Sequence, residues 1–376
     1  MTNNQHRIRE LDALRGLAAM AVVLFHFTSQ FDRLYGHSTP LRFSLPRGDL
    51  GVDFFFMLSG FVILMTLDRM PSALEFVVGR LARLYPAYWA AAAITLAVVA
   101  WAGLPGQEVS LGEAVVNATM LPRVLGARPI DSAYWSLQVE LLFYAAMLVL
   151  HRSGALKTPR WPMTLALWLA LATAAQFVAA QFAAAQFAAA QFVADTTPLV
   201  PAASGPLALT FVTKLQTVLS LKYLHLFAVG IVLYRVHGAG RWTPAAWLLL
   251  AWCALVQARL DSWSAAGVVI VLAAVLHAAA HGRPRFLATP PLVFLGTISY
   301  PLYLIHQNVG YVVIRNLEAA GMEASLAVAT AVAGSLLLAT GLSFGIERPA
   351  MAAIKGWHRP GKGAAAFRKI PTGEIG

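Results

Sequence analysis

The sequence predicts an all-α polytopic membrane protein with about ten transmembrane helices and both termini cytoplasmic. Three observations lead there. Hydrophobic residues make up 59% of the chain and charged residues only 12%, where soluble domains carry about 25% charge; the mean hydropathy is +0.65. Apolar runs of roughly 18 residues or more recur along the length, enough to cross a hydrocarbon core of about 30 Å. Finally, Lys and Arg gather on alternate connections. With the N-terminus inside, roughly two thirds of the 28 cationic residues fall on the cytoplasmic side, including Arg7, Arg9, Arg69, Arg152, Lys157 and Arg160, as the positive-inside rule requires.

The spans follow in order at roughly 12–31, 50–69, 85–103, 134–150, 162–182, 215–235, 243–260, 263–281, 292–314 and 324–346, each an apolar run bounded by charge or Pro/Gly punctuation. The run after Arg15 lacks a small-residue cleavage pattern and is expected to be a retained first span. Lys214 and Lys222 intrude at the start of the sixth. Segment 104–133, with Pro105, Pro122 and Pro129, is expected to be the longest loop, and 195–210 another. Between Gln176 and Phe192 a Gln-Phe pair recurs every five residues. A five-residue period turns about 140° around a helix, so the glutamines share no face, and the repeat reads as an extension of a helix. These spans form one membrane domain over 1–350, followed by a basic cytoplasmic tail over 351–376 that is expected to be disordered.

The net charge of +11 does not point to nucleic acid, because the basic residues are scattered between apolar spans; the partner that composition demands is the lipid bilayer. The single cysteine, Cys253, excludes an internal disulfide and a cysteine-rich metal site. No metal is expected. Cys253, His225 and His277 read as ordinary span residues.

Ionisable groups inside membrane spans are costly and are functional candidates by default. The first span holds Arg15 and His26, the second Asp53, the fourth Glu140 and the ninth His306; the last ends at Glu347. Arg15 and His26 stand three helical turns apart, about 16 Å along one face. With alternating span direction, His26, Asp53, Glu140 and His306 are expected at one outer level, while Arg15, Arg80, Arg83 and Glu347 are expected at an inner rim. The four titratable groups suit acid–base chemistry; the guanidinium rim suits a phosphate-bearing ligand. Plainer readings stand beside these. Arg15, Arg80 and Arg83 could be inner anchors, Asp53 a helix cap, and Glu140 and His306 packing partners.

Five segments resemble the acyltransferase 3 family of membrane proteins, and in the same order. They are Arg9-Glu10-Leu11-Asp12-Ala13-Leu14-Arg15-Gly16-Leu17-Ala18-Ala19 with His26 beyond, Gly51-Val52-Asp53-Phe54-Phe55-Phe56-Met57-Leu58-Ser59-Gly60-Phe61, Arg80-Leu81-Ala82-Arg83-Leu84-Tyr85-Pro86, Tyr134-Trp135-Ser136-Leu137-Gln138-Val139-Glu140, and Ser299-Tyr300-Pro301-Leu302-Tyr303-Leu304-Ile305-His306-Gln307. The resemblance covers about 1–150 and 290–350; the middle matches only as apolar spans.

The resemblance implies a membrane O-acyltransferase of the bacterial inner (cytoplasmic) membrane. It would move an acyl group, commonly acetyl, from cytoplasmic acyl-CoA to a hydroxyl of a cell-envelope glycan or related carbohydrate. On that reading His26 is a general base or a transient acyl carrier, with Asp53 or Glu140 assisting. Arg15, Arg80 and Arg83 bind the donor, and His306, Trp135 and Ser136 contact the acceptor. The family often has a second acid after the Trp-Ser segment; here Leu141 follows Glu140. The rival reading is a transporter of a sugar or acyl donor using the same charges. The absence of a second Arg-to-His pattern in the C-terminal half speaks against it.

Overall fold

The chain builds helices wherever its apolar runs predict them. The computed structural model describes residues 8–70, 72–157, 159–196 and 221–358, with no strand among the described residues. Helix α1 (Arg9–Phe25) continues through a wide π turn (His26–Gln30) into α2 (Phe31–Tyr35). Then come α3 (Leu50–Arg69), α4 (Ala73–Ala102), the short α5 (Leu111–Asn117), α6 (Trp135–Arg152) and α7 (Trp161–Thr196). The second half holds α8 (Leu224–Ala239), α9 (Pro244–Leu260), α10 (Trp263–Ala280), α11 (Pro290–Ala319), α12 (Ala324–Leu342) and α13 (Arg348–His358). A second π turn, Ser343–Glu347, joins the last two.

Seven segments are long and apolar enough to cross a membrane: Arg9–Tyr35, Leu50–Arg69, Ala73–Ala102, Ser132–Arg152, Trp161–Gln181, Trp263–Ala280 and Ala324–Trp357. The other three predicted spans are helices too. Helices α8 and α9 are 16 and 17 residues long, about 24–26 Å and so short of a full core. Helix α11 is 30 residues long, but it buries the polar side chains Ser299, His306, Gln307 and Asn308.

Several boundaries differ from the sequence reading for local reasons. Helix α4 begins about a dozen residues early because Ser72 caps it, accepting a hydrogen bond from the Glu75 amide. Arg80 and Arg83 therefore sit within a helix rather than on a connection. The expected loop 104–133 contains α5, started by a capping box in which Ser110 and Glu113 satisfy each other's backbone amides. Lys222 precedes α8 rather than interrupting it, and the first part of the predicted sixth span, 215–220, lies outside the described residues with Lys214. Helix α7 takes in the whole Gln-Phe repeat over 36 residues, about 54 Å. Of the expected loop 195–210, residues 195 and 196 end that helix and the rest lies outside the described residues. Helix α13 carries the chain to His358, into the segment expected as tail; 359–376 lies outside.

Helix α11 is the hub, packed against α1, α12 and α4, while α3 packs against α8 and α1. Without a hydrophobic drive between helices in lipid, such contacts depend on close fit. A Cβ on Gly296 would overlap the Asp12 carbonyl, and one on Gly16 would meet the Gly296 backbone, so α1 and α11 cross backbone to backbone. Gly60 and Gly230 do the same for α3 and α8. Residues 130–136 are clamped onto α11. The Tyr134 hydroxyl donates to the Leu304 carbonyl (2.9 Å), Asn308 Nδ2 donates to the Ile130 carbonyl (3.0 Å), and the Asn308 amide donates to Asp131 (3.0 Å). This fixes where α6 starts and which way Trp135 and Ser136 face.

Candidate active site

Two histidines from α1 and α11 meet inside the bundle. His306 Nε2 stands 3.1 Å from His26 Nδ1, with ring centroids 4.9 Å apart. Each Nδ1 also faces a backbone carbonyl, His26 that of Val22 at 2.9 Å and His306 that of Tyr303 at 2.8 Å. A carbonyl only accepts, so both neutral rings carry their proton on Nδ1. His306 Nε2 is then an acceptor for His26 Nδ1–H, and the lone pair of His26 Nε2 has no hydrogen-bond partner among the described residues. His26 opens the π turn, a feature that often marks functional sites.

His26 lines a cavity of about 900 Å³ with Asp53, Trp135, Tyr223, Gln257 and Tyr303. Gln257 Nε2 donates to Asp53 Oδ2 (3.1 Å), and its oxygen accepts from His225 Nε2 (2.6 Å). Trp135 and Tyr223 lie ring against ring at 4.8 Å. Toward the other end of the bundle lies a narrow cavity lined by Arg15, Ser59, Arg83, Ser136, Glu140 and Tyr300. Val52 and Tyr303 line both.

The structure thus divides the residues picked from the sequence. His26 and His306 share one level as expected. Glu140 does not join them: Ser59 and Tyr144 donate to its Oε1, the latter at 2.6 Å, and it faces the Arg15 cavity. Neither Asp53 nor Glu140 bonds His26; its orienting partners are a backbone carbonyl and a second imidazole. His306 is fully buried and is not part of the cavity lining, so it backs His26 rather than meeting an acceptor. Trp135 faces the His26 cavity and Ser136 the Arg15 cavity, because neighbouring helix positions point about 100° apart. Arg83 lines the Arg15 cavity, 3.7 Å from Glu347. Arg80 turns away, reaching Thr66 at 3.4 Å and lying over the rings of Phe76 and Tyr144. Sequence reasoning passed over Tyr303, Tyr223, Gln257 and His225. Tyr303 lies inside a quoted motif, and Gln257 is a polar residue in an apolar run, which was the available signal. Among the described residues no three His, Cys, Asp or Glu are grouped to hold a metal ion.

Residues 8–348 match a protein family described as "Acyltransferase domain". The chain belongs to the acyltransferase 3 family. This acyltransferase is 28% identical over 325 residues to the exopolysaccharide production protein ExoZ of Rhizobium meliloti (strain 1021), covering 80% of this chain and 89% of that one. It is 29% identical over 355 residues to the acyltransferase MdmB of Streptomyces mycarofaciens, covering 89% of this chain and 86% of that one. No solved structure matches it. The acyltransferase is therefore an integral membrane enzyme of the O-acyl-transferring kind, and the transporter reading gives way. Its reaction requires an acyl donor and an acceptor.

Proposed function

We propose that this acyltransferase moves an acetyl group from cytoplasmic acyl-CoA to a hydroxyl of a cell-envelope carbohydrate, with His26 as general base. The observation that carries the proposal is the placing of His26 Nδ1 against the Val22 carbonyl and His306, which assigns its proton to Nδ1. Its Nδ1–H is committed to Val22 and His306, which leaves Nε2 basic beside an open cavity. In the reaction Nε2 takes the proton of the acceptor hydroxyl as its oxygen attacks the thioester carbonyl. The tetrahedral intermediate collapses, the C–S bond breaks, and the proton passes to the departing thiolate. The imidazolium formed on the way strengthens its Nδ1–H bonds to the Val22 carbonyl and His306, a neutral form of the support a carboxylate gives elsewhere.

Arg15 and Arg83 supply fixed cations where CoA phosphates would approach the Arg15 cavity. In this reading the Arg15 end is cytoplasmic and the His26 end faces outward, with ten spans, both termini inside and the protein in a bacterial inner membrane. A reporter fused after Gly376 that was active outside the cell would overturn that placement. The carbohydrate acceptor is supported by the relative whose name ties it to exopolysaccharide production and by the Trp135–Tyr223 platform.

The test is His26→Ala in purified, lipid-reconstituted enzyme. Transfer should fall about 10²- to 10⁴-fold, the usual contribution of a positioned base, with acetyl-CoA affinity and melting temperature unchanged. A folded variant with full turnover would sink the assignment.

A further inference from the structure

The two cavities are neighbours with a shared wall. Of the residues that line them, Val52 and Tyr303 face both, and each is almost wholly enclosed, 8% and 5% exposed. The basic nitrogen of His26 belongs to one side and the guanidinium groups of Arg15 and Arg83 to the other. An acyl group on a CoA held by its phosphates in the Arg15 cavity would approach His26 along the wall these two side chains form.

Neither gives way easily. The Tyr303 hydroxyl donates to the Ala133 carbonyl (2.9 Å) and stands 2.6 Å from Ser136 Oγ, while its ring meets the edge of Phe55 at 5.9 Å and 74°. Ser136 and Ala133 belong to the stretch clamped onto α11, so the tyrosine is held by that stretch on one side and by α3 on the other. Val52 is β-branched and sits in the first turn of α3, where its χ1 is confined to one main rotamer. A neck with two stiff walls passes a small group and resists a long one.

We infer that Val52 and Tyr303 form the acyl-selecting neck of this enzyme, admitting a two-carbon acyl group from the donor cavity to His26 and excluding longer chains. The inference rests on the acyl-transfer reading above and adds the residues that set acyl length. Tight packing translates one added methylene into roughly 10- to 200-fold discrimination.

The experiment uses full-length enzyme in lipid nanodiscs with acetyl-, butyryl- and hexanoyl-CoA as donors. The unaltered enzyme should favour acetyl over butyryl by at least about tenfold. Val52→Ala should narrow that ratio about tenfold. Val52→Phe should slow acetyl transfer at least about tenfold with acetyl-CoA affinity unchanged, because the donor's phosphate end is untouched. Val52→Ile adds a single methylene and tests the same wall if the phenylalanine variant does not fold. A butyryl-to-acetyl ratio unchanged in Val52→Ala and in the folded enlarged variant overturns the neck. Activity in His26→Ala would instead remove the base assignment, and the acyl ratio would still decide the neck by itself.

Discussion

The two cavities draw on different parts of the chain. The Arg15 cavity is lined almost wholly from the five motif segments: Arg15 from the first, Val52, Phe55, Phe56 and Ser59 from the second, Arg83 and Leu84 from the third, Ser136, Leu137 and Glu140 from the fourth, Ser299, Tyr300 and Tyr303 from the fifth. The His26 cavity shares some of these but is completed by Lys222, Tyr223, His225, Gln257 and Asp261, which lie outside the five motif segments, in a stretch that the family match over residues 8–348 nonetheless includes. The difference teaches that, on the proposed function, the donor side and the base are assembled from the five motif segments while the acceptor side is completed by residues outside them.

Removing His306, which stands behind the proposed base His26, should test the comparison hardest. His306→Ala takes away the acceptor of His26 Nδ1–H and leaves a hole beside it, so turnover should fall about 10- to 100-fold with little change in either KM, and the pH profile of kcat should shift. His306→Gln, whose carboxamide oxygen accepts the same hydrogen bond, should recover part of the loss. An alanine variant as fast as the unaltered enzyme would leave His306 a packing residue.

A pair of milder changes separates the cavities. Arg83→Ala should raise the KM for acyl-CoA about tenfold and spare the acceptor, since a charge-assisted phosphate contact contributes about 1.5 kcal/mol or more. Gln257→Ala should do the reverse, raising the acceptor KM several-fold and sparing the donor, because it frees Asp53 and His225 from their present geometry. Steady-state kinetics with each substrate varied would show it; if both variants moved the same KM, the division of labour would fall.

The smallest effect belongs to the surface of the connection between α4 and α6. Arg128 Nε donates to Glu113 at 2.8 Å, and this partner with the Ser110 contacts pushes the Glu113 carboxyl down to about 2. A depressed folded-state value stabilises the fold above the unfolded value of about 4.3 and loses that contribution as pH falls toward 2. Glu113→Gln should therefore lower the melting temperature slightly at pH 7 and not at all near pH 2. The site is exposed, so the difference is small and shrinks in high salt.

Much of this was legible in the chain. Apolar run length marked every described helix longer than two turns that precedes the final π turn, because hydrocarbon thickness imposes a fixed length on any sequence. The intramembrane charges marked His26, Asp53, Glu140 and Arg15 as residues worth explaining, because burial of such groups is costly wherever the helices end up. The start of α4 was legible as well: Ser72 and Glu75 have capping spacing, but the signal lies ahead of the apolar run and was hidden by it.

What run length and charge could not contain is which side chains meet. His26 and His306 are 280 residues apart in sequence, and only the backbone crossing at Gly16 and Gly296 brings α1 near enough to α11 for their rings to touch. Position in its run predicted Glu140 on the level of His26, yet the structure puts it in the Arg15 cavity, bonded by Ser59 and Tyr144, because packing partners rather than position in the run settle where a side chain lies. The sequence determined the class of the protein, its spans and its short list of reactive groups, since these follow from lipid thickness and solvation. The tertiary structure decided that an imidazole and a carbonyl, not a carboxylate, orient His26, and that Val52 and Tyr303 line both cavities, since contacts across helices depend on crossing geometry that no single run encodes.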